Sequence, residues 1–349
     1  MTKRLCYISK NYRSIDGSGN KAKTDNEATL RLLGAHNLGL KTTYYDSKFL
    51  SFFLDLAGVV KCLFTIRRGD VLFLQYPLKK YFSFLCRVAK WRNASSVALI
   101  HDLGSMRRKR LTVEHEIKRL MNADVVIASN ETMKEWLSEH GFKNKLGALG
   151  LFDYRSESHP SPRTTSPSAH YTLVYAGALA KRKNTFLLKM KPEEWNCQIN
   201  IYGNSDGLPD LKESAYLHVR GFMKADEFIA HVDGDFGLVW DGDSIDSCTG
   251  NFGEYLHWNS PHKVSFYLRA GLPVIIWKEA AVAPIVEQEN IGIAIASLNE
   301  LGERLSALTA EDINAMRKNV ERISQKLASG GFLQEALKQT FEQTSFEKR

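Results

Sequence analysis

The chain predicts an α/β protein of two doubly wound, Rossmann-like domains, on three observations. Short β-branched and aromatic runs alternate with helical stretches along both halves, the pattern of parallel sheets covered on both faces. Between the halves, Arg155–Ala169 (RSESHPSPRTTSPSA) holds three prolines and five serines without periodicity and reads as a linker. Charge divides there too: up to residue 170 there are 28 Lys and Arg against 15 Asp and Glu, a surplus of 13; beyond it 19 stand against 24, a deficit of 5. The expected layout is a first domain over 1–154, a linker over 155–170, a second domain over 171–325, and a C-terminal helix over 326–349 whose return to the first domain the sequence leaves open.

Taken in order, Leu5–Ser9 is a strand, Ser14–Asn20 a glycine loop, and a helix follows from about Thr24 with Leu30, Leu33, Ala35 and Leu38 on its apolar side. Thr42–Tyr45, Val71–Gln75, Val97–Ile100 and Val125–Ala128 repeat the strand signal. The apolar run Phe49–Ile66 is broken by Asp55 and Lys61 and keeps helical spacing through Phe49, Phe52, Phe53, Leu56, Val60, Leu63 and Phe64. It reads as an amphipathic core helix, with a helix lying on a membrane surface as the alternative. In the second half the strands are Tyr171–Tyr175, Gln198–Tyr202, Tyr216–Val219, Phe236–Trp240, Val274–Trp277 and Gly292–Ile295. Two such domains facing each other leave a cleft at the carboxyl ends of their strands, where open sheets bind ligands.

With 44% apolar residues in 349, the chain can build real cores. Five cysteines, an odd number without paired ligand spacing, argue against a disulfide framework and a zinc site and fit a reducing, cytoplasmic setting. The surplus of cations in the first half suits an anionic partner such as a membrane leaflet, a lipid pyrophosphate or a nucleic acid, or else is a solvated face.

The richest stretch is Gly250–Trp277: a glycine-rich turn, then Asn259-Ser260-Pro261-His262-Lys263, an amphipathic helix and a buried strand. Ser260 is expected to cap the helix and Pro261 to occupy its first turn, so that a phosphate could sit at the helix start beside His262 and Lys263; an ordinary αβ unit explains the pattern equally. Gly177 follows a strand and precedes Lys181-Arg182-Lys183, cations suited to a diphosphate or merely to a surface. Gly203 beside Tyr202, and Gly221 beside Phe222, stand where a nucleobase could be edged and stacked, or are only turns. Asp241-Gly-Asp243 could hold a divalent ion but more often such a pair is a polar turn; no metal is expected. His101-Asp102, after the strand ending at Ile100, suits a general base, or is a turn-forming pair. The cluster from Arg107 through Arg108 to Arg110 suits an acceptor's phosphate or solvent.

Together these residues resemble a bacterial glycosyltransferase family of GT-B architecture. It includes the glucosyltransferase extending glycans on serine-rich adhesins and β-1,6-galactofuranosyltransferases of surface polysaccharides. The resemblance is carried by the glycines ahead of Tyr255, by Asn259, Pro261-His262-Lys263, Tyr267-Leu268 and Gly271-Leu-Pro273-Val. Ile100-His-Asp102, Tyr175-Ala-Gly177 with Lys181, and Phe236–Trp240 support it. It implies a UDP-sugar bound mainly by the second domain, with no cofactor and no essential metal. Lys181, Tyr255, Asn259 and Lys263 would contact diphosphate and sugar, and the loop at Gly17 and Ser18 would close over the donor. The implied reaction moves galactofuranose or glucose from UDP to a growing surface glycan with inversion, Asp102 taking the acceptor proton, at or near the inner membrane face. The rivals are an epimerase or retaining transferase of the same architecture, a non-catalytic glycan- or nucleotide-binding subunit, and a nucleic-acid binder. The last has no motif behind it. Oligomeric state, a homo-oligomer included, is left open.

Overall fold

The structure, a computed structural model, describes residues 4–12, 18–78, 81–107, 111–161 and 170–345. It divides into two compact units, residues 1–149 with 330–349, and residues 150–329.

The first unit runs β1 (Leu5–Tyr7), α1 (Ser18–Leu32), β2 (His36–Asn37), α2 (Lys48–Thr65), β3 (Val71–Tyr76), α3 (Phe82–Trp91) and β4 (Ser95–Ile100). It continues through α4 (Gly104–Arg107), α5 (Val113–Leu120), β5 (Val125–Ala128), α6 (Glu131–Glu139) and β6 (Lys145–Ala148). The sheet is parallel, in the order β2-β1-β3-β4-β5-β6. Strand order reverses between β1 and β3, the point where such sheets open a crevice.

Two expectations fail here. Thr42–Tyr45 is no strand: one bridge joins Asn11 to Thr43, and the Asn11 side chain takes over the ladder. Its amide accepts from Tyr45 N (2.8 Å) and Thr43 Oγ1 (2.8 Å) and donates to Tyr45 O (2.6 Å). The second strand is instead the two-residue β2. Nor is α2 a core helix of the expected kind. Small residues Ser51, Gly58, Val59 and Cys62 face inward, while Phe49, Phe52, Phe53, Leu56, Val60 and Phe64 are exposed. Gly58 allows this close seat, since a Cβ there would lie 3.4 Å from Leu40 N. β6, a half-buried edge strand, was unforeseen because Lys-Leu-Gly-Ala carries little strand propensity.

The second unit runs β7 (Tyr171–Ala176), α7 (Lys181–Asn184), β8 (Cys197–Tyr202), β9 (Leu217–Gly221), α8 (Ala225–His231) and β10 (Phe236–Val239). After these come α9 (Gly250–Gly253), α10 (His262–Arg269), β11 (Val274–Trp277), α11 (Ala283–Gln288), β12 (Gly292–Ile295), α12 (Leu301–Ser306) and α13 (Ala310–Ser329). Its sheet is parallel, in the order β12-β11-β10-β7-β8-β9, so the reversal falls between β7 and β10. The strands β10 and β11, and the edge strand β12, are buried along their length, as helix-covered parallel strands must be. The last helix, α14 (Gly331–Ser345), belongs to the first unit. It packs on β6 and α1: a Cβ on Gly147 would meet Thr340 Oγ1 at 3.4 Å.

All five cysteines are free and buried. Burial pushes the thiols of Cys6, Cys62, Cys86 and Cys197 up to about 12, which makes them poor nucleophiles.

Candidate functional site

In the second unit, α10 is seated against β10 through Tyr267, which lies flat on Gly237. A Cβ there would fall 2.2 Å from the Tyr267 ring. The Tyr267 hydroxyl accepts from Ala176 N at the end of β7 (2.7 Å). Lys263 lies one turn earlier on the same face and is thereby aimed at the reversal between β7 and β10. Its ammonium sits 3.7 Å over the Tyr175 ring and 3.6 Å from Asp241 Oδ1, beyond hydrogen-bond reach. It is buried and makes no hydrogen bond among the described residues. Burial pushes Lys263 down to about 7, against the pull of Asp241.

Asp241 follows β10 and balances the cluster. Its Oδ1 accepts from the Tyr175 hydroxyl (3.2 Å), and its Oδ2 lies 3.3 Å from Lys183 Nζ. Asn184 donates to the same Tyr175 hydroxyl, and its Oδ1 accepts from Ala180 N (2.9 Å). Asp243 accepts instead from Thr249 Oγ1, so the two carboxylates of the Asp241-Gly-Asp243 run are engaged separately.

Glycines pave the strand ends. Gly177 has φ +149°, and a Cβ there would press on Lys263 Cε at 3.2 Å. A Cβ on Gly203 would strike Gly177 O at 2.2 Å, and one on Gly207 would strike Leu179 O at 2.1 Å. Larger residues would prise these loops apart.

The expected donor residues distribute unevenly around this cluster. Lys181 does not join it: its ammonium pairs with Asp210 (2.8 Å) in the open, and Asp210 is held below its ordinary range by that contact. Of the three cations after Gly177, Lys183 is the one whose ammonium reaches Asp241 (3.3 Å). Tyr202 is packed edge-on against Phe228, and its hydroxyl accepts from Asp233 N (3.3 Å), so its ring is not offered for stacking. Phe222 is 69% exposed. Tyr255 is buried, and its carbonyl accepts from Trp258 N and Asn259 N (3.1 Å each). That turn sets Asn259, whose Oδ1 is buried with no hydrogen-bond partner among the described residues. His262 Nε2–H donates to the Asp153 carbonyl (3.1 Å), with its ring against Tyr154. Ser260 is not the expected cap, because its hydroxyl donates to the Gly150 carbonyl (2.8 Å) and α10 starts without a side-chain cap.

In the first unit, His101 and Asp102 follow β4. His101 Nε2 meets Gln75 Oε1 (2.9 Å). The Gln75 amide donates to Lys23 O, so its oxygen is the acceptor and Nε2 carries the proton. Asp102 pairs with Arg107, and its side chain stays 31% exposed. Arg107, expected on the acceptor's phosphate, is thus engaged by Asp102. The loop they share is pinned by Glu116, a fully buried carboxylate. It accepts from Gly104 N (2.8 Å), Ser105 N (2.7 Å), Ser105 Oγ and the Tyr76 hydroxyl (2.7 Å). Glu116 is a contribution that sequence reasoning missed: nothing in local pattern marks a buried carboxylate that caps a neighbouring loop. Ser18 opens α1, while Gly17, Arg108 and Arg110 lie outside the described residues.

Similarity to known proteins identifies the family and the fold. Residues 5–151 match the family model "Glucosyltransferase 3-like, N-terminal domain", and residues 173–340 match its C-terminal counterpart. The chain is 31% identical over 290 residues to the β-1,6-galactofuranosyltransferase WbbI of Escherichia coli (strain K12), covering 79% of this chain and 81% of that one. It is 22% identical over 278 residues to Glucosyltransferase 3 of Streptococcus gordonii, covering 77% and 78%. In fold it is similar to the lipopolysaccharide outer core galactosyltransferase WaaB (TM-score 0.55, 12% identity, 97% and 99% covered). WaaG, a glycosyltransferase of lipopolysaccharide biosynthesis, is comparable (TM-score 0.54, 13% identity, 95% and 98% covered). The chain therefore belongs to the glucosyltransferase 3-like family of glycosyltransferases, with the two Rossmann-like domains of the GT-B architecture.

Proposed function

We propose that this enzyme transfers a hexosyl unit, galactofuranose or glucose, from a UDP-sugar to a growing cell-surface glycan, with inversion and without a metal. One observation carries the donor reading: the buried Lys263 ammonium, without a hydrogen-bond acceptor, at the reversal of a parallel sheet. Asp241 lies 3.6 Å away without hydrogen-bonding to it, and a diphosphate supplies the acceptors that a buried ammonium needs and Asp241 does not give.

The acceptor hydroxyl attacks the anomeric carbon while the bond from that carbon to the β-phosphate oxygen breaks, and UDP departs. Asp102 takes the hydroxyl proton, with Arg107 holding its carboxylate in place. Charge gathering on the departing diphosphate is met by Lys263 and Lys183. Asn259 Oδ1 accepts from a hydroxyl of the donor sugar. The acceptor glycan rides on a lipid pyrophosphate at the inner membrane face, which suits the cationic first half.

Substituting Lys263→Ala is expected to lower transfer by about a hundred- to a thousandfold and to weaken donor binding in a protein that still unfolds cooperatively. Retained turnover and retained UDP-induced thermal stabilisation would overturn the assignment. Loss of activity in EDTA, restored by manganese, would overturn the metal-free part alone. A labelled donor reads the stereochemistry directly.

A further inference from the structure

Helix α2 turns its polarity inside out. Its two mid-helix charges are engaged beside the stripe: half-buried Asp55 accepts from Asn11 N (3.1 Å), and exposed Lys61 reaches back to donate to Gly39 O (2.8 Å). Ser51, facing inward, is bonded by the Asn11 amide. The outward stripe is Phe49, Phe52, Phe53, Leu56, Val60 and Phe64, with Phe49 75% and Phe64 74% exposed. The spacing i, i+3, i+4, i+7, i+11, i+15 puts these on one continuous face. No carboxylate interrupts it.

Its borders are mainly cationic and aromatic, with one exposed carboxylate, Asp46, ahead of the first turn. Lys48 opens the helix, exposed Arg67 and Arg68 follow its last turn, and Tyr45 precedes its first. Arg92, exposed, donates to Leu63 O (3.2 Å) at the C-terminal end, beside Trp91, which is 69% exposed. Tyr and Trp with one apolar and one wet end are residues of the membrane–water boundary. At 18 residues the helix is about 27 Å long. Among the described residues no helix is long and apolar enough to cross a membrane.

We propose that the outer face of α2 docks on an anionic lipid bilayer. The helix lies in the plane of the surface, its aromatic stripe among the acyl–headgroup boundary, and Lys48, Arg67, Arg68 and Arg92 pair with lipid phosphates. A second copy of this chain is the rival occupant. It would set the same surplus of cations against itself, whereas an anionic leaflet neutralises them. The biological sense of docking rests on the lipid-carried acceptor proposed above, but the binding itself needs neither acceptor nor donor.

The test is co-sedimentation of the full chain with vesicles of equal phosphatidylglycerol and phosphatidylcholine, and with vesicles of phosphatidylcholine alone. Binding to the mixed vesicles is expected to exceed that to the neutral ones at least about tenfold at low salt. The triple variant Phe49→Ser, Phe52→Ser, Phe64→Ser should bind at least about tenfold more weakly. Its melting temperature, mass in solution and UDP-induced stabilisation should match the parent, because all three side chains are exposed. Equal sedimentation of parent and variant would overturn the proposal, as would no parent binding to either vesicle. A parent dimer that the variant dissolves, with vesicle binding unchanged, would hand the face to a second copy. Should vesicle binding hold while UDP fails to stabilise the parent, the donor reading falls and the docking surface stands.

Discussion

Lys263 and Glu27 are both ionisable groups buried beside the sheet reversal of their own unit, yet they are treated in opposite ways. Glu27 accepts from Ser9 Oγ (2.6 Å), from the Tyr12 hydroxyl and from Thr42 Oγ1 (3.1 Å). Burial pushes its pKa up, and those donors work against that push. Lys263 has an aromatic face and one carboxylate beyond bonding distance. The first group is satisfied by its own fold and ties β1 to the segment after β2. The second is ion-paired with Asp241 but makes no hydrogen bond among the described residues. A buried charge with all its hydrogen bonds made is architecture, and one short of them is the place we propose for the diphosphate.

The sharpest way to break that contrast is on the acceptor side. Asp102→Asn should lower kcat by roughly a hundred- to ten-thousandfold with donor affinity unchanged, since Asp102 belongs to the other unit. Steady-state kinetics with a separate UDP titration read both. Lys263→Ala should cost about a hundred- to a thousandfold in kcat/KM and weaken UDP binding as well, a pairing of losses that Asp102→Asn must not show.

Glu27→Ala should do the reverse of Lys263→Ala. Leaving three hydroxyls without their acceptor is expected to cost about 1–3 kcal/mol for each unsatisfied group. Denaturant unfolding measures it, while UDP affinity of the folded protein stays as in the parent. Within the donor cluster the effects are smaller. Lys183→Ala should raise the donor KM about tenfold, and Lys181→Ala, whose exposed pair with Asp210 is worth little, by less than about twofold.

Acidity gives a last discriminator. With Lys263 at about 7 when folded and 10.5 as its ordinary value, both folded and unfolded chains hold the proton below pH 7, and the cost of burial is present in full. Between these values the unfolded chain holds more protons, so stability rises with pH, and the gain is complete above the ordinary value. A diphosphate draws the proton back, so at about pH 8 UDP binding should take up a proton. Calorimetry in buffers of different ionisation enthalpy detects it, and Lys263→Met should abolish it.

Much of this site was legible beforehand. The αβ unit from Pro261 to Trp277 showed itself through helical spacing, a glycine stop and a β-branched run, and Gly177 through its place after a strand. What escaped were choices made by tertiary structure. Sequence named three successive cations after Gly177, but which of them reaches Asp241 depends on how the short α7 turns, and Lys183 does. Ser260 looked like a cap, but its hydroxyl bonds Gly150, far away in sequence. The period of α2 was right, and its facing as a core helix was not, because Asn11 bonds Ser51 and Asp55 on its inner side. Glu116 had no local signature at all, since its donors lie on the preceding short helix and at the end of β3.

The chain leaves the first unit at Leu149 and returns to it only at Gly330, and that detour bears on how the protein is made. A ribosome finishes the whole second unit before it releases α14, the piece that seals β6 and α1. Domains tend to fold in the order they emerge, but here the domain begun first is completed last. Throughout that interval the apolar side of α14, with Leu333, Ala336 and Leu337 buried in the finished fold, is missing from its seat. A nascent chain stalled after residue 329 would therefore carry a sealed second unit and an unsealed first one, with apolar surface of the kind that chaperones bind.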